Sequence, residues 1–208
     1  MDSTIVRVTT IYFDNLGPQG QIWVEIETAD GRVGLGESAG APSATAAWFK
    51  DIGAPYLLGQ NADDIERHWW ALYTNWAPAG IGLETRVIAM IDIALWDLFA
   101  KRAGLPLVAM LGGPVRPSIR AYNTCAGPAY YQDSALPTDD RTGLKHMTGT
   151  YEDLWAFQNE SDRLARELID MGFSAMKIWP FDDLADETGG KAITRSQLAR
   201  GLEPVKKI

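Results

Sequence analysis

Residues 83–103 constrain the fold of this chain more than any other stretch. Val87, Met90, Ile91, Ala94, Leu95 and Leu98 recur at helical spacing, and Gly104 supplies a C-terminal stop. Ile88, Ile93 and Trp96 add apolar surface on other faces, so this helix is expected to be buried on most sides. Such a helix needs a partner layer, and the preceding sequence offers one. Residues 5–13 are rich in β-branched and aromatic side chains and stop at Asn15, Gly17 and Pro18, which reads as a strand. Residues 22–28 and 33–37 read as two more, joined by a tight hairpin whose positive φ angles are assigned to Asp30 and Gly31. The expectation is a three-stranded antiparallel meander under helices. Further helices are expected over residues 44–52, capped by Ser43, and over residues 62–76, capped by Asn61.

After Leu111-Gly112-Gly113-Pro114 the pattern changes. Residues 118–124 read as a strand, 152–171 as an amphipathic helix ended by Gly172, and 175–179 as another strand; a further helix begins over 194–206. Strand, helix, strand makes a βαβ unit with a right-handed crossover. The boundary is placed near Arg116, giving domains 1–115 and 116–208. Residues 126–150 carry Gly, Pro, Asp and Thr without periodicity and read as a long loop at the C-terminal end of a parallel strand, where barrel enzymes place their chemistry.

Composition excludes some partners. The 208 residues carry a net charge of −8, with no block of Lys or Arg, so neither nucleic acid nor an anionic membrane surface is expected as a partner. No basic segment leads into an apolar run and no stretch of 18 uncharged apolar residues occurs, which makes a cytoplasmic protein the expectation. The single cysteine, Cys125, is read as a packed thiol, and with His68 and His146 as the two histidines no Cys/His metal cluster is expected. His68, beside Trp69 and Trp70, is read as packed or at the surface.

Three phrases carry a family resemblance: Gly34-Leu35-Gly36-Glu37-Ser38 after the hairpin, Ala89-Met90-Ile91-Asp92-Ile93-Ala94-Leu95-Trp96-Asp97 in the long helix, and Gly104-Leu105-Pro106-Leu107 leading to Leu111-Gly112-Gly113. Together with the element order they resemble the mandelate racemase and muconate lactonizing branch of the enolase superfamily, over nearly all of the chain except residues 126–150. The resemblance implies an α+β capping domain over 1–115, then the first βα units of an incomplete (β/α) TIM-like barrel over 116–208. It also implies Mg²⁺-dependent proton abstraction beside a carboxylate, since that carbon is very weakly acidic until a metal ion stabilises the enediolate. A small-molecule carboxylate, a sugar acid, is the implied substrate, and a homo-oligomer the implied assembly.

The same resemblance points to site residues. The second barrel strand of this branch ends in Lys-x-Lys, whose second lysine is the base; Lys177-Ile178-Trp179 stand there in this sequence. Lys177 matches and is the catalytic candidate, with its role shifted toward an electrostatic partner. Trp179 only donates hydrogen bonds and is no base; with Pro180 and Phe181 it is expected to form a bulky wall against substrate. Losing one of two bases disfavours racemisation, whereas dehydration needs one base and an acid for the departing hydroxyl, roles the family gives to a downstream His and Asp. An acid-sugar dehydratase is therefore the leading reading. The alternatives are a racemase, epimerase or cycloisomerase of the same family, and a non-catalytic binding or scaffold protein. Asn123 near the first strand's end, Gln19 in the Gly17-Pro18-Gln19-Gly20 loop and Glu37 beside that loop are substrate-binding candidates. Asp92 and Asp97 are read as making local hydrogen bonds. The family's three acidic metal ligands sit at the ends of the third to fifth barrel strands, so Mg²⁺ ligands are expected beyond residue 208. Asp182, Asp183, Asp186 and Glu187 are read as a solvated acidic loop. Because a whole barrel takes about 250 residues, the chain is expected to be part of a longer protein and inactive alone, with an unpaired sheet edge that lowers solubility.

Overall fold

The computed structural model describes residues 2–13, 20–77, 80, 82–125, 153–182, 184, 185 and 189–208. It divides into two compact units, Met1–Val115 and Arg116–Ile208.

In the first unit β1 (Ile5–Tyr12), β2 (Gln21–Thr28) and β3 (Val33–Ala39) form an antiparallel sheet in the order β1-β2-β3. Alternation turns Ile22, Val24, Ile26 and Thr28 inward, each essentially inaccessible to solvent, and leaves Trp23, Glu25 and Glu27 on the outer face. The hairpin after β2 differs from expectation. Gly31 takes a positive φ of 80°, but Asp30 does not. The Gly31 amide donates to the Thr28 carbonyl at 2.8 Å and the Thr28 amide to the Arg32 carbonyl at 3.0 Å, a longer turn that needs one left-handed residue rather than two. Asp30 instead accepts from Thr28 Oγ1 at 2.6 Å, and that bond holds its carboxyl below the ordinary range.

Helices α1 (Pro42–Trp48) and α2 (Ala54–Leu57) are joined by a π-helical turn, Phe49–Gly53. Ser43 does not cap α1: the helix starts two residues earlier than expected, after Ala41 in the left-handed region, because Pro42 has the fixed φ and missing N–H that suit a first helical position. Nor does Asn61 cap α3 (Ile65–Trp76). Its Oδ1 accepts from the Asp63 amide at 3.1 Å, closing a turn ahead of the helix. Its carbonyl accepts from His68 Nε2 at 2.8 Å, while His68 Nδ1 meets the Tyr56 hydroxyl at 3.0 Å, so His68 is a packed, satisfied side chain.

Helix α4 (Leu83–Ala103) ends at Gly104, whose φ of 66° lets the Leu105 amide turn back to the Ala100 carbonyl at 3.1 Å. Val87, Ile88, Met90, Ile91, Ala94, Leu95 and Leu98 are buried, although Ile93 is exposed. The helix lies directly on β3. A Cβ at Gly34 would overlap the Ala94 carbonyl oxygen and one at Gly36 that of Met90, so two glycines let backbone meet backbone. Side chains of α4 then cover the outer edge of β3. Asp97 accepts from the Leu35 amide at 2.8 Å, Lys101 donates to the Val33 carbonyl at 3.0 Å, and Arg86 donates to the Ala39 carbonyl at 2.7 Å. The local bonding expected of Asp97 is thus present. Asp92 makes no hydrogen bond among the described residues; burial, and then Glu66, push its carboxyl above the ordinary range. The unit ends with α5 (Leu107–Met110).

In the second unit β4 (Asn123–Thr124) and β5 (Met176–Lys177) pair in parallel, with α6 (Asp153–Asn159), α7 (Ser161–Asp170) and α8 (Arg195–Lys207). The single helix expected over 152–171 is broken at Glu160, which has left helical geometry at φ −131°. Beyond the break, buried Ser161 donates to the Pro204 carbonyl of α8 at 3.1 Å, so a tertiary bond sets where α7 begins. Gly172 ends α7 as expected, and Thr194 caps α8 in a reciprocal box with Gln197. Among the described residues no helix is long and apolar enough to cross a membrane.

Replacing Gly36 by Ala forces α4 off β3 and is expected to destabilise the first unit by about 1–3 kcal/mol, read as a lowered midpoint in urea. Leu35→Ala, on the outer face, serves as the control and should cost less. Equal stability of Gly36→Ala and the parent chain would refute the close-packing account.

Candidate functional site

The C-terminal ends of β4 and β5 are where the sequence and the fold both direct attention. Asn123 pairs with Met176 and Thr124 with Lys177, and the Cys125 amide donates to the Lys177 carbonyl at 2.9 Å. Both strands are shorter than the sequence suggests. Just upstream, the Arg120 guanidinium takes over the link between them, donating to Ser174 Oγ at 2.7 Å and to the Ser174 carbonyl at 2.8 Å.

Alternation sorts the strand-end residues into two faces. Cys125, Met176 and Ile178 share an apolar core with Ala156, Phe157, Leu164 and Leu168 of α6 and α7. Asn123, two residues before Cys125 and opposite Met176, lies on that helix-covered face. Its amide nitrogen donates to Asp153 Oδ2 at 2.7 Å and to Cys125 Sγ at 3.3 Å, tying the first residue of α6 to β4. Asn123 thus ties α6 to β4 on the face opposite that of Lys177.

The other face carries Lys177 and Trp179, with Thr124 beside Lys177 in register. Lys177 is exposed, and its ammonium stands 4.6 Å from the centroid of the Trp179 ring, a cation–π contact. The three-residue wall expected from Trp179, Pro180 and Phe181 is reduced. The Phe181 ring lies against the α-carbon of Gly201, where a Cβ would overlap it, so Phe181 packs on α8. Thr124 was not singled out in the sequence, and it takes this face because Cys125 next to it turns into the core.

The remaining candidates belong to the first unit. Glu37 is exposed on β3 opposite Trp23, whose indole Nε1 donates to Glu37 Oε2 at 3.2 Å, and Phe13 meets Trp23 edge-on with ring centroids 6.3 Å apart. Gln19 lies outside the described residues, as do residues 126–150 and Asp183, Asp186 and Glu187. Among the described residues no group of three or more His, Cys, Asp or Glu side chains is placed to hold a metal ion, so the described part of the chain does not by itself fit a Mg²⁺ centre.

Burial raises the Cys125 thiol above its usual range, with Asp153 adding to the effect and the Asn123 bond opposing it. Since the thiolate is the reactive form, the native chain at pH 8 should react with a disulfide reagent far more slowly than the urea-unfolded chain. Asn123→Ala should speed that reaction by loosening α6. A native rate matching the unfolded one would contradict the burial of Cys125.

Comparison with known proteins agrees with these features. Residues 4–112 match the family model described as the mandelate racemase / muconate lactonizing enzyme, N-terminal domain. The chain is similar to a D-mannonate dehydratase of Rhizorhabdus wittichii, 30% identical over 79% of this chain and 42% of that protein. A D-galactarolactone cycloisomerase of Agrobacterium fabrum is 38% identical over 51% of this chain and 28% of its own length. Among solved structures, an enolase protein from Sargasso Sea environmental sequencing matches with a TM-score of 0.77 at 33% identity, over 99% of this chain and 47% of that one. The chain thus spans less than half the length of these relatives. Its meander, its glycine-seated helix and this family match establish that the chain belongs to the mandelate racemase and muconate lactonizing enzyme family, of which it represents the N-terminal half.

Proposed function

We propose that this chain is the N-terminal part of a Mg²⁺-dependent acid-sugar dehydratase, with Lys177 as a catalytic residue at the end of β5. The observation that carries the reading is the face shared by Lys177 and Trp179: one lysine is present, and an indole stands where a second proton-transferring lysine would stand by resemblance. Dehydration removes the proton from the carbon next to the carboxylate and the hydroxyl from the adjacent carbon as water, leaving an enol that becomes the keto acid. Its first step builds negative charge on the carboxylate oxygens, and a lysine ammonium offers three N–H donors and a full charge to meet it. Similarity to relatives named as dehydratases supports this choice of reaction. Mg²⁺, when bound to the whole enzyme, supplies Lewis-acid stabilisation of the enediolate; its ligands belong to the part of the family's length that this chain does not span. Trp179 and Glu37, together with Gln19, are the proposed substrate contacts.

A second reading is a cycloisomerase, favoured by the similarity to the Agrobacterium enzyme. Both readings share the proton abstraction and differ in whether water or a lactone oxygen leaves.

The test is to assay the full-length protein that contains this chain against a panel of sugar acids with Mg²⁺, detecting keto acids with semicarbazide and lactone loss by NMR. Keto-acid formation, abolished by chelation and lowered at least about a hundredfold in kcat by Lys177→Ala, is the expected result. Keto acid formed from sugar-acid lactones but not from the open-chain acids would select the cycloisomerase, and turnover indifferent to both chelator and Lys177→Ala would defeat the proposal.

A further inference from the structure

Lys177 is held at two levels. Its backbone is fixed by pairing with Thr124 and by the bond from the Cys125 amide, while its four-carbon stem ends over the Trp179 indole at 4.6 Å. Among the described residues the indole is the group that meets this ammonium, and the nature of that partner matters. A carboxylate partner would hold the stem in place too, but it would accept one or more of the N–H donors and cancel the charge locally. An indole face attracts the cation through its quadrupole, takes up no lone-pair-directed hydrogen bond, and leaves both charge and donors available.

We infer that Trp179 is the positioning residue of Lys177: its indole face holds the Lys177 ammonium at the end of β5 as an oriented, uncancelled cation for the carboxylate of an anionic substrate. This rests on the reading of that strand end as substrate-facing, and it adds to the substrate contact proposed for Trp179 a role that acts through Lys177. The geometry supports it twice over. Trp179 lies two residues past Lys177, with Ile178 between them packed toward the helix-covered core, and Phe181 is drawn away onto Gly201 of α8, so the indole is the ring that stays with the ammonium. The role also suits the residue type, since Trp is the strongest of the aromatic cation holders, Phe a weaker one, and Leu has no π face.

The inference is tested by labelling the lysine side chains of the full-length protein that contains this chain with ¹³C-methyl groups, which keep the positive charge, and recording their NMR resonances. The Lys177 resonance, assigned by its loss in Lys177→Arg, is expected upfield of the others because of the indole ring current. It should move to the bulk position in Trp179→Leu and only part of the way in Trp179→Phe, with circular dichroism confirming that both variants fold. Gluconate, titrated against its uncharged polyol sorbitol as the probe of charge recognition, should shift the same resonance and bind roughly two- to fivefold more weakly to Trp179→Leu. A Lys177 resonance at the bulk position in the parent chain, or one unmoved by Trp179→Leu, overturns the inference. A lost ring-current shift with unchanged gluconate affinity overturns it as well, because the indole would then be a bystander. If gluconate fails to bind the full-length parent protein in the presence of Mg²⁺, the reading of the strand end as substrate-facing is what fails, and the ring-current comparison alone decides whether Trp179 holds Lys177.

Discussion

The direct seating of α4 on β3 is the constraint on which the first unit depends. Gly34 and Gly36 remove the two Cβ atoms that would otherwise hold the helix away, and the Ala94 and Met90 carbonyls occupy that space. At this distance the polar side chains of α4 can reach the outer backbone groups of β3, and Asp97, Lys101 and Arg86 satisfy Leu35, Val33 and Ala39 in turn. A small three-stranded sheet with an open edge would be vulnerable to pairing with other chains; here the helix that buries its face also blunts its edge. The phrases that carry the family resemblance, Gly34-Leu35-Gly36 and the helix from Ala89 to Asp97, are therefore two sides of one contact. Their pairing in this chain has a steric reason that needs no substrate.

In the second unit the organising principle is parity. Two short parallel strands direct alternate residues toward α6 and α7 or toward the opposite face, and Cys125, Met176 and Ile178 decide which is which. Asn123 falls on the helix side, where its bond to Asp153 holds α6 to the strand end. Lys177 and Trp179 fall on the other, in contact with each other. A polar residue at a strand end thus ties the scaffold, and a lysine one position out of phase stands on the opposite face. Burial of Cys125 on the helix side raises its thiol above the usual range.

Residues 87–98 disclosed their helix, and Gly104 its end, because a period of 3.6 and a left-handed glycine are local properties. The three strands were legible for the same kind of reason. Local reading failed where two local solutions competed or where a distant partner intervened. Ser43 and Asn61 are good capping residues, yet Pro42 and an Asx turn took their places; Glu160 lies inside a helical pattern, yet a bond between Ser161 and Pro204 restarts the helix after it.

For the candidate site the division is sharper. Sequence by itself determined the family, the expected element order and the lysine at position 177, because each is encoded in short runs of contiguous residues. Which way Asn123 points, where Phe181 goes and what meets the Lys177 ammonium were decided by tertiary structure alone. Those outcomes depend on the register between β4 and β5 and on the packing of α6, α7 and α8 against them, contacts between residues some fifty positions apart that no local pattern records.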